Sequence, residues 1–237
     1  MTRLLTDKKD NIAYIVMNNK ENRHDIVFAN EFLEALNFCI SDNTTKSIII
    51  TSNDEKNFSQ GIDVEWIKAK IKEKNYNTIK EFLYKMNEVF KKIIFSCVPT
   101  IAQINGHAFG NGALLGLVCD FRFARQDRGF FCFPEVDIGI PFLPSMIEYS
   151  KKAINYQYYQ EIVFTGKRCT ADELEKQGVI LKSAANLEEL EHIAFDFAKT
   201  LDKNRIIYKK LKDRIFANIK EAFEKDKQYI ETLDIFS

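Results

Sequence analysis

The spacing of apolar residues changes period several times along the first half of the chain, and this restricts the fold more than any other feature. Ile12 to Met17 is an apolar run rich in strand formers, Glu31 to Ile40 carries Phe32, Leu33, Leu36 and Ile40 at helical spacing, and Ser47 to Thr51 is β-branched. A second cycle follows. From about Thr78 to Ser96, the residues Phe82, Leu83, Met86, Val89, Phe90 and Ile93 form one helical stripe, and Pro99 marks its end before a strand at Thr100 to Ile104. After a glycine-bearing turn come a short apolar helix at Ala113 to Val118 and two strand candidates, Phe121 to Ala124 and Gly129 to Phe133. Strands alternating with helices place the chain in the α/β class.

The remainder reads as mostly helical. Thr170 with Glu173 makes a capping-box pattern, and Gly178 is placed to stop the helix it opens. Asn186 with Glu189 opens another, whose Leu187, Leu190, Ile193, Ala194, Phe197 and Leu201 recur at three and four. From Lys203 to about Leu233 the pattern continues through Ile206, Ile207, Leu211, Ile215, Ile219 and Phe223. Such a stripe must fold back on the core or pack on another subunit. No repeat, low-complexity segment or flexible linker divides the chain, so the expectation is one domain: a core over residues 1–180 and a helical region over 181–237.

A chain of 237 residues buries a substantial core. Its 34 Lys and Arg balance 34 Asp and Glu, which argues against a global field for nucleic acid or an anionic membrane. An anionic ligand has to be caught locally. The five cysteines are odd in number, lack CxxC spacing and sit mostly in apolar runs, the pattern of reduced core residues. With no signal-peptide pattern and no apolar run near the ~20 residues of a membrane span, a cytoplasmic location is expected.

Three segments carry candidate chemistry. In NFSQGID, residues 57–63, Gly61 either permits a tight bend or lets a ligand approach the main chain, so that the Gln60 N–H can point at an oxygen. In INGHAFGNGALLGLVCD, residues 104–120, Gly110 and Gly112 flank Asn111 just before an apolar helix. The Asn111 N–H then lies at a helix N-terminus, where unpaired donors favour negative charge; alternatively the glycines only turn the chain. No GK[ST] follows and the GxGxxG frame is lacking, which argues against a Walker A loop with nucleotide hydrolysis and against a dinucleotide site. In FCFPEVDIGIP, residues 131–141, Glu135 interrupts an apolar stretch. It is either a solvated loop acid or a desolvated carboxylate whose pKa is raised towards that of a general base. His107 and His192 have no partners that would make a triad or a metal set, so no metal is expected.

In this order and spacing the segments resemble the crotonase, or enoyl-CoA hydratase/isomerase, superfamily. The likeness runs from KENRHDIVFANEF through FSQGID, PTIAQINGHAFGNGALLGLVCD and PEVDIG to TGKRCTADELEKQGVI. It implies a spiral of repeated ββα units, with C-terminal helices that build a homotrimer or a dimer of trimers. It also implies an acyl-CoA thioester substrate with no further cofactor, and an oxyanion hole made by the backbone N–H groups of Gln60 and Asn111. The turn of Lys20, Arg23 and His24, with Gly61 and Ile62, would border the coenzyme A path, Lys20 and Arg23 facing its phosphates. Gly110 and Leu114 would complete the substrate site.

The departure from the hydratase pattern is Leu114, which stands where hydratases carry the first of two glutamates. Leucine neither accepts a proton nor orients water. The remaining acid, Glu135, suits a double-bond shift from a 3-enoyl-CoA to the trans-2-enoyl-CoA, as in short monofunctional 3,2-enoyl-CoA isomerases. Other enolate-type reactions of an acyl-CoA, or binding without catalysis, stay open on the sequence: decarboxylation, dienoyl isomerisation and thioester hydrolysis are the reactions concerned.

Overall fold

A strand buried along its whole length needs cover on both faces, and Ser47–Ser52 (β4) is buried at every residue. Its side chains alternate between two cores: Ile48 and Ile50 enter the larger one, while Ile49 joins Ile12, Ile101 and Phe123 in the smaller. In the computed structural model, which describes residues 2–233, β4 lies between Ile12–Met17 (β2) and Thr100–Ile104 (β7), parallel to both. Leu4–Lys9 (β1) closes one edge antiparallel to β2. Phe121–Arg125 (β9) and Lys182–Ala184 (β11) extend the other, giving the order β1-β2-β4-β7-β9-β11.

Each turn of the chain adds one strand to this sheet, a shorter one to a second layer, and then helix. Asn57–Ser59 (β5), His107–Phe109 (β8) and Phe131–Cys132 (β10) make a three-stranded sheet, and Arg23–His24 (β3) pairs with Gly61–Ile62 (β6). That is the expected spiral of ββα units. The helices of these turns are Ile26–Ser41 (α1), Val64–Lys72 (α2), Tyr76–Ile94 (α3), Asn111–Val118 (α4) and the one-turn Glu135–Ile138 (α5). All six residues of the stripe in α3 are buried. The expected strand at Gly129 to Phe133 shrinks to two residues, because Gly129 takes a positive φ of 95° and Pro134 follows at its end.

Pro144–Lys151 (α6), Tyr156–Thr165 (α7) and Ala171–Lys176 (α8) follow, the last opened by the expected capping box of Thr170 and Glu173. Two features differ from the sequence reading beyond residue 180. Residues 182–184 are a strand of the main sheet, and Leu187–Lys199 (α9) covers that sheet's second face with Leu190, Ala194 and Ala198. A boundary at residue 180 therefore cuts through the core. The long tail is also two helices, Arg205–Ile215 (α10) and Ala217–Thr232 (α11), broken at Phe216, whose ψ of 26° departs from helical geometry. The helix α11 folds back, burying Ile219, Phe223 and Ile230, whereas Ile206, Ile207, Leu211 and Ile215 of α10 remain exposed.

All eight residues of α4 are buried. Its last carbonyls, which lack intrahelical partners, are taken by the buried Arg122 and the half-buried Lys152: both reach Cys119 O, at 2.7 and 2.9 Å, and Leu117 O. The five cysteines are free, and among the described residues no helix is long and apolar enough to cross a membrane.

Candidate active site

A cavity of about 330 Å³ opens where α4 begins. Gln60, Ile62, Gly110, Asn111, Leu114 and Glu135 all line it, so six of the residues singled out in the sequence converge. Ile67, Leu83, Leu143 and Met146 supply apolar wall, and Lys68 is the cation among its lining residues. Among the described residues, Glu135 is the one acid there.

Pro134 fixes the turn that starts α5 and places Glu135 at its first position. The carboxylate lies directly over Gly110: a Cβ on that glycine would stand 3.0 Å from Glu135 Oε1. Oε2 is buried with no hydrogen-bond partner. Burial pushes the Glu135 carboxyl up from 4.5 to about 7, outweighing the opposing hydrogen bond from its own backbone N–H. A carboxyl tuned so is a proton acceptor at neutral pH.

Gly110 adopts φ 51° and hands the chain into α4, whose first residue is Asn111. The first N–H groups of a helix have no carbonyl four residues back, so the Asn111 N–H faces the cavity as a free end of the helix. Against it lies Gly61. A Cβ at Gly61 would meet Asn111 N at 2.9 Å and Phe109 O at 2.6 Å, and its φ of 76° also calls for glycine.

The expected second donor is not available. Gln60 N–H donates to Glu21 O at 3.0 Å, because the chain before Gly61 runs alongside the 19–22 turn. Gly61 N–H donates to Ser59 Oγ at 3.0 Å and Asp63 N–H to His24 O at 2.9 Å. Successive residues of an extended strand point their N–H groups to opposite sides, so Ile62, between Gly61 and Asp63, turns its N–H away from β3. Side-chain identity carries no record of main-chain direction, so the sequence could not show that the Gln60 N–H is spent on Glu21 O.

His24 is also placed otherwise than expected. It is fully buried beneath the site, stacked on Phe28 with ring centroids 4.3 Å apart, and burial lowers its pKa to about 3. The buried imidazole does not line the cavity. Arg23 is partly exposed and pairs with Glu21 at 2.8 Å, and Lys20 is exposed on the same turn; neither lines the cavity, though Glu21 O holds Gln60 at its rim. Asp63 caps α2 by accepting from Trp66 N, and Asp137 lies against Gly166. Trp66 packs edge-on against Phe82, while its neighbour Ile67 reaches the cavity. Sequence reasoning missed Lys68, Ile71, Leu83 and Met146; the helical spacing of Ile67 and Ile71 is the signal that could have found part of this wall.

Comparison with known proteins agrees with this architecture. Residues 7–234 match the family described as enoyl-CoA hydratase/isomerase. The chain is 32% identical over 155 residues to the peroxisomal enoyl-CoA delta isomerase 2 of Arabidopsis thaliana, an alignment spanning 63% of each protein. It is 27% identical over 186 residues to the human mitochondrial Delta(3,5)-Delta(2,4)-dienoyl-CoA isomerase, covering 74% of this chain and 56% of that one. Among solved structures, an enoyl-CoA hydratase of Bacillus halodurans superposes with a TM-score of 0.87 at 24% identity, over 97% of this chain and 92% of its own. The fold, the match along almost the whole chain and the composition of the cavity agree: the chain belongs to the enoyl-CoA hydratase/isomerase family.

Proposed function

We propose that the protein is an enoyl-CoA delta isomerase that moves a 3-enoyl-CoA double bond into conjugation with the thioester. The observation that carries this reading is that Glu135 is the one acid lining the cavity among the described residues, while apolar Leu114 lies beside Asn111 on the first turn of α4. A single carboxylate takes a proton from carbon 2 and returns it to carbon 4 of the same substrate. Adding water across a double bond needs a second group to orient that water, and Leu114 offers none.

The electrostatics favour the same chemistry. As carbon 2 loses its proton, charge gathers on the thioester oxygen, which the N–H groups of Asn111 and Ile62 would receive. A donor of this kind is worth about 2.7 to 4 kcal/mol of barrier when removed singly. Lys68 in the cavity wall, and Lys20 and Arg23 on either side of Glu21, whose carbonyl holds Gln60, are the cations that would meet the coenzyme A phosphates. The exposed apolar row of α10 is the surface through which copies of the chain would assemble, in keeping with a trimer.

Incubation of the purified protein with a 3-enoyl-CoA tests the reading. The ultraviolet absorbance of the conjugated thioester should grow with no change of product mass, and Glu135→Gln should suppress it. A product heavier by one water, or full activity in Glu135→Gln, would overturn the assignment.

A further inference from the structure

We infer that His24 is a positioning residue that clamps the two main-chain walls of the oxyanion hole together through Ser59 and the Asn111 side chain. The inference rests on the acyl-CoA reading above and goes beyond it, because His24 touches neither the cavity nor any reacting atom.

The geometry is a continuous chain of hydrogen bonds through fully buried groups. Asn111 Nδ2 lies 2.9 Å from His24 Nδ1, and His24 Nε2 lies 2.9 Å from Ser59 Oγ. Ser59 Oγ donates to Asn22 O at 2.7 Å and accepts from Gly61 N–H at 3.0 Å. These contacts decide where the ring proton sits. A hydroxyl has one hydrogen and two lone pairs. Ser59 spends its hydrogen on Asn22 O, so it can only accept from His24, and the proton is on Nε2. Nδ1 is then an acceptor, which the Asn111 amide group supplies with a donor. Each donor in the chain has one acceptor, and no charge is required of the ring.

The consequence is mechanical. One end of the chain is fixed to β5 and β6 at Ser59 and Gly61, the other to the first residue of α4. The Asn111 N–H and the Ile62 N–H sit on the two sides so joined, and the imidazole, stacked on Phe28, sets the distance between them. Glycine at residue 111 would leave that gap to main-chain packing alone. Asparagine there gives the ring something to hold.

The test uses His24→Phe, which keeps the stacking on Phe28 and removes both ring nitrogens, and His24→Gln, which keeps hydrogen-bonding capacity. With a 3-enoyl-CoA, kcat should fall about 10- to 100-fold in His24→Phe with little change in KM, since small misplacements of transition-state donors cost that much. His24→Gln should recover part of the loss, and His24→Phe should cost less when Asn111 is already Gly. Equal costs in both backgrounds, or a loss shared equally by kcat and stability with no rescue by glutamine, would overturn the inference. Nitrogen-15 spectra of labelled histidine supply a readout without turnover. They should show the Nε2–H tautomer in the wild type and a shifted Nδ1 resonance in Asn111→Gly; an Nδ1–H tautomer refutes the clamp even if isomerase activity is present. A wild type that turns over no 3-enoyl-CoA and whose Asn111 amide resonance does not move when octanoyl-CoA is added removes the acyl-CoA reading, and the positioning role with it.

Discussion

Glu135 and Gly110 face each other so closely that the smallest possible side chain on the glycine would stand 3.0 Å from the carboxylate oxygen. The acid is thereby brought beside the first N–H of α4 with no side chain between them. A proton acceptor and an anion-stabilising donor within reach of one bound carbonyl compound are what enolate chemistry requires.

The first prediction concerns rate against pH. With the carboxyl raised to about 7, the base form grows as pH rises through that value, so kcat/KM should climb and level off near one ionisation. Glu135→Gln should lower kcat by about 10² to 10⁴-fold and abolish the limb. A profile flat from about pH 5 to 9 in the wild type would contradict the role given to this residue.

The same raised carboxyl makes a stability prediction. Between 4.5 and about 7 the folded protein keeps the Glu135 proton that the unfolded chain has lost, so stability falls as pH rises through that window. The amount is up to about 3 kcal/mol, at roughly 1.4 kcal/mol for each pH unit the window spans. Urea unfolding at pH 5 and pH 8 should show Glu135→Gln gaining on the wild type at the higher pH. An equal change in both proteins would count against the raised carboxyl.

Gly61→Ala should be costly for two separate reasons. The positive φ is strained for any side chain, by about 1–3 kcal/mol, and the new methyl group collides with Phe109 O and Asn111 N. The collision forces apart the two segments proposed to flank the thioester oxygen, so activity should fall further than the melting temperature alone explains. A folded Gly61→Ala protein with wild-type kcat would show that the close approach is dispensable.

The exposed row on α10 predicts an assembly. Ile207→Glu with Ile215→Glu should convert a multi-chain particle to a single chain in sedimentation, while circular dichroism stays unchanged, because these side chains are exposed in the single chain. A wild type that sediments as one chain at micromolar concentration would remove this row as an interface.

The parts of the fold legible in the sequence are those where burial repeats over several residues. β2, β4 and β7 carry apolar runs because helices or strands cover both their faces, and α3 carries a full stripe. The strands β3, β5, β6, β8 and β10 have two or three residues each, too few to show a period. The break at Phe216 has neither proline nor glycine to announce it, so the helical pattern runs through it unchanged. Glu135 was readable as a polar residue in an apolar segment, and Asn111 as the opening of an apolar helix. His24 was not: between Arg23 and Asp25 it looks solvated, and only the stacking on Phe28 and the bonds to Ser59 and Asn111 bring it inside.

The donors that close the far end of α4 have an effect at the near end. Anchored by Arg122 and Lys152, the helix serves as a fixed reference frame for the Asn111 N–H. The cavity walls that would meet an acyl group, Ile67, Leu83 and Met146, belong to three other helices. On the proposed function, selectivity for the acyl group would be retuned by repacking those walls while the Asn111 N–H stays where it is.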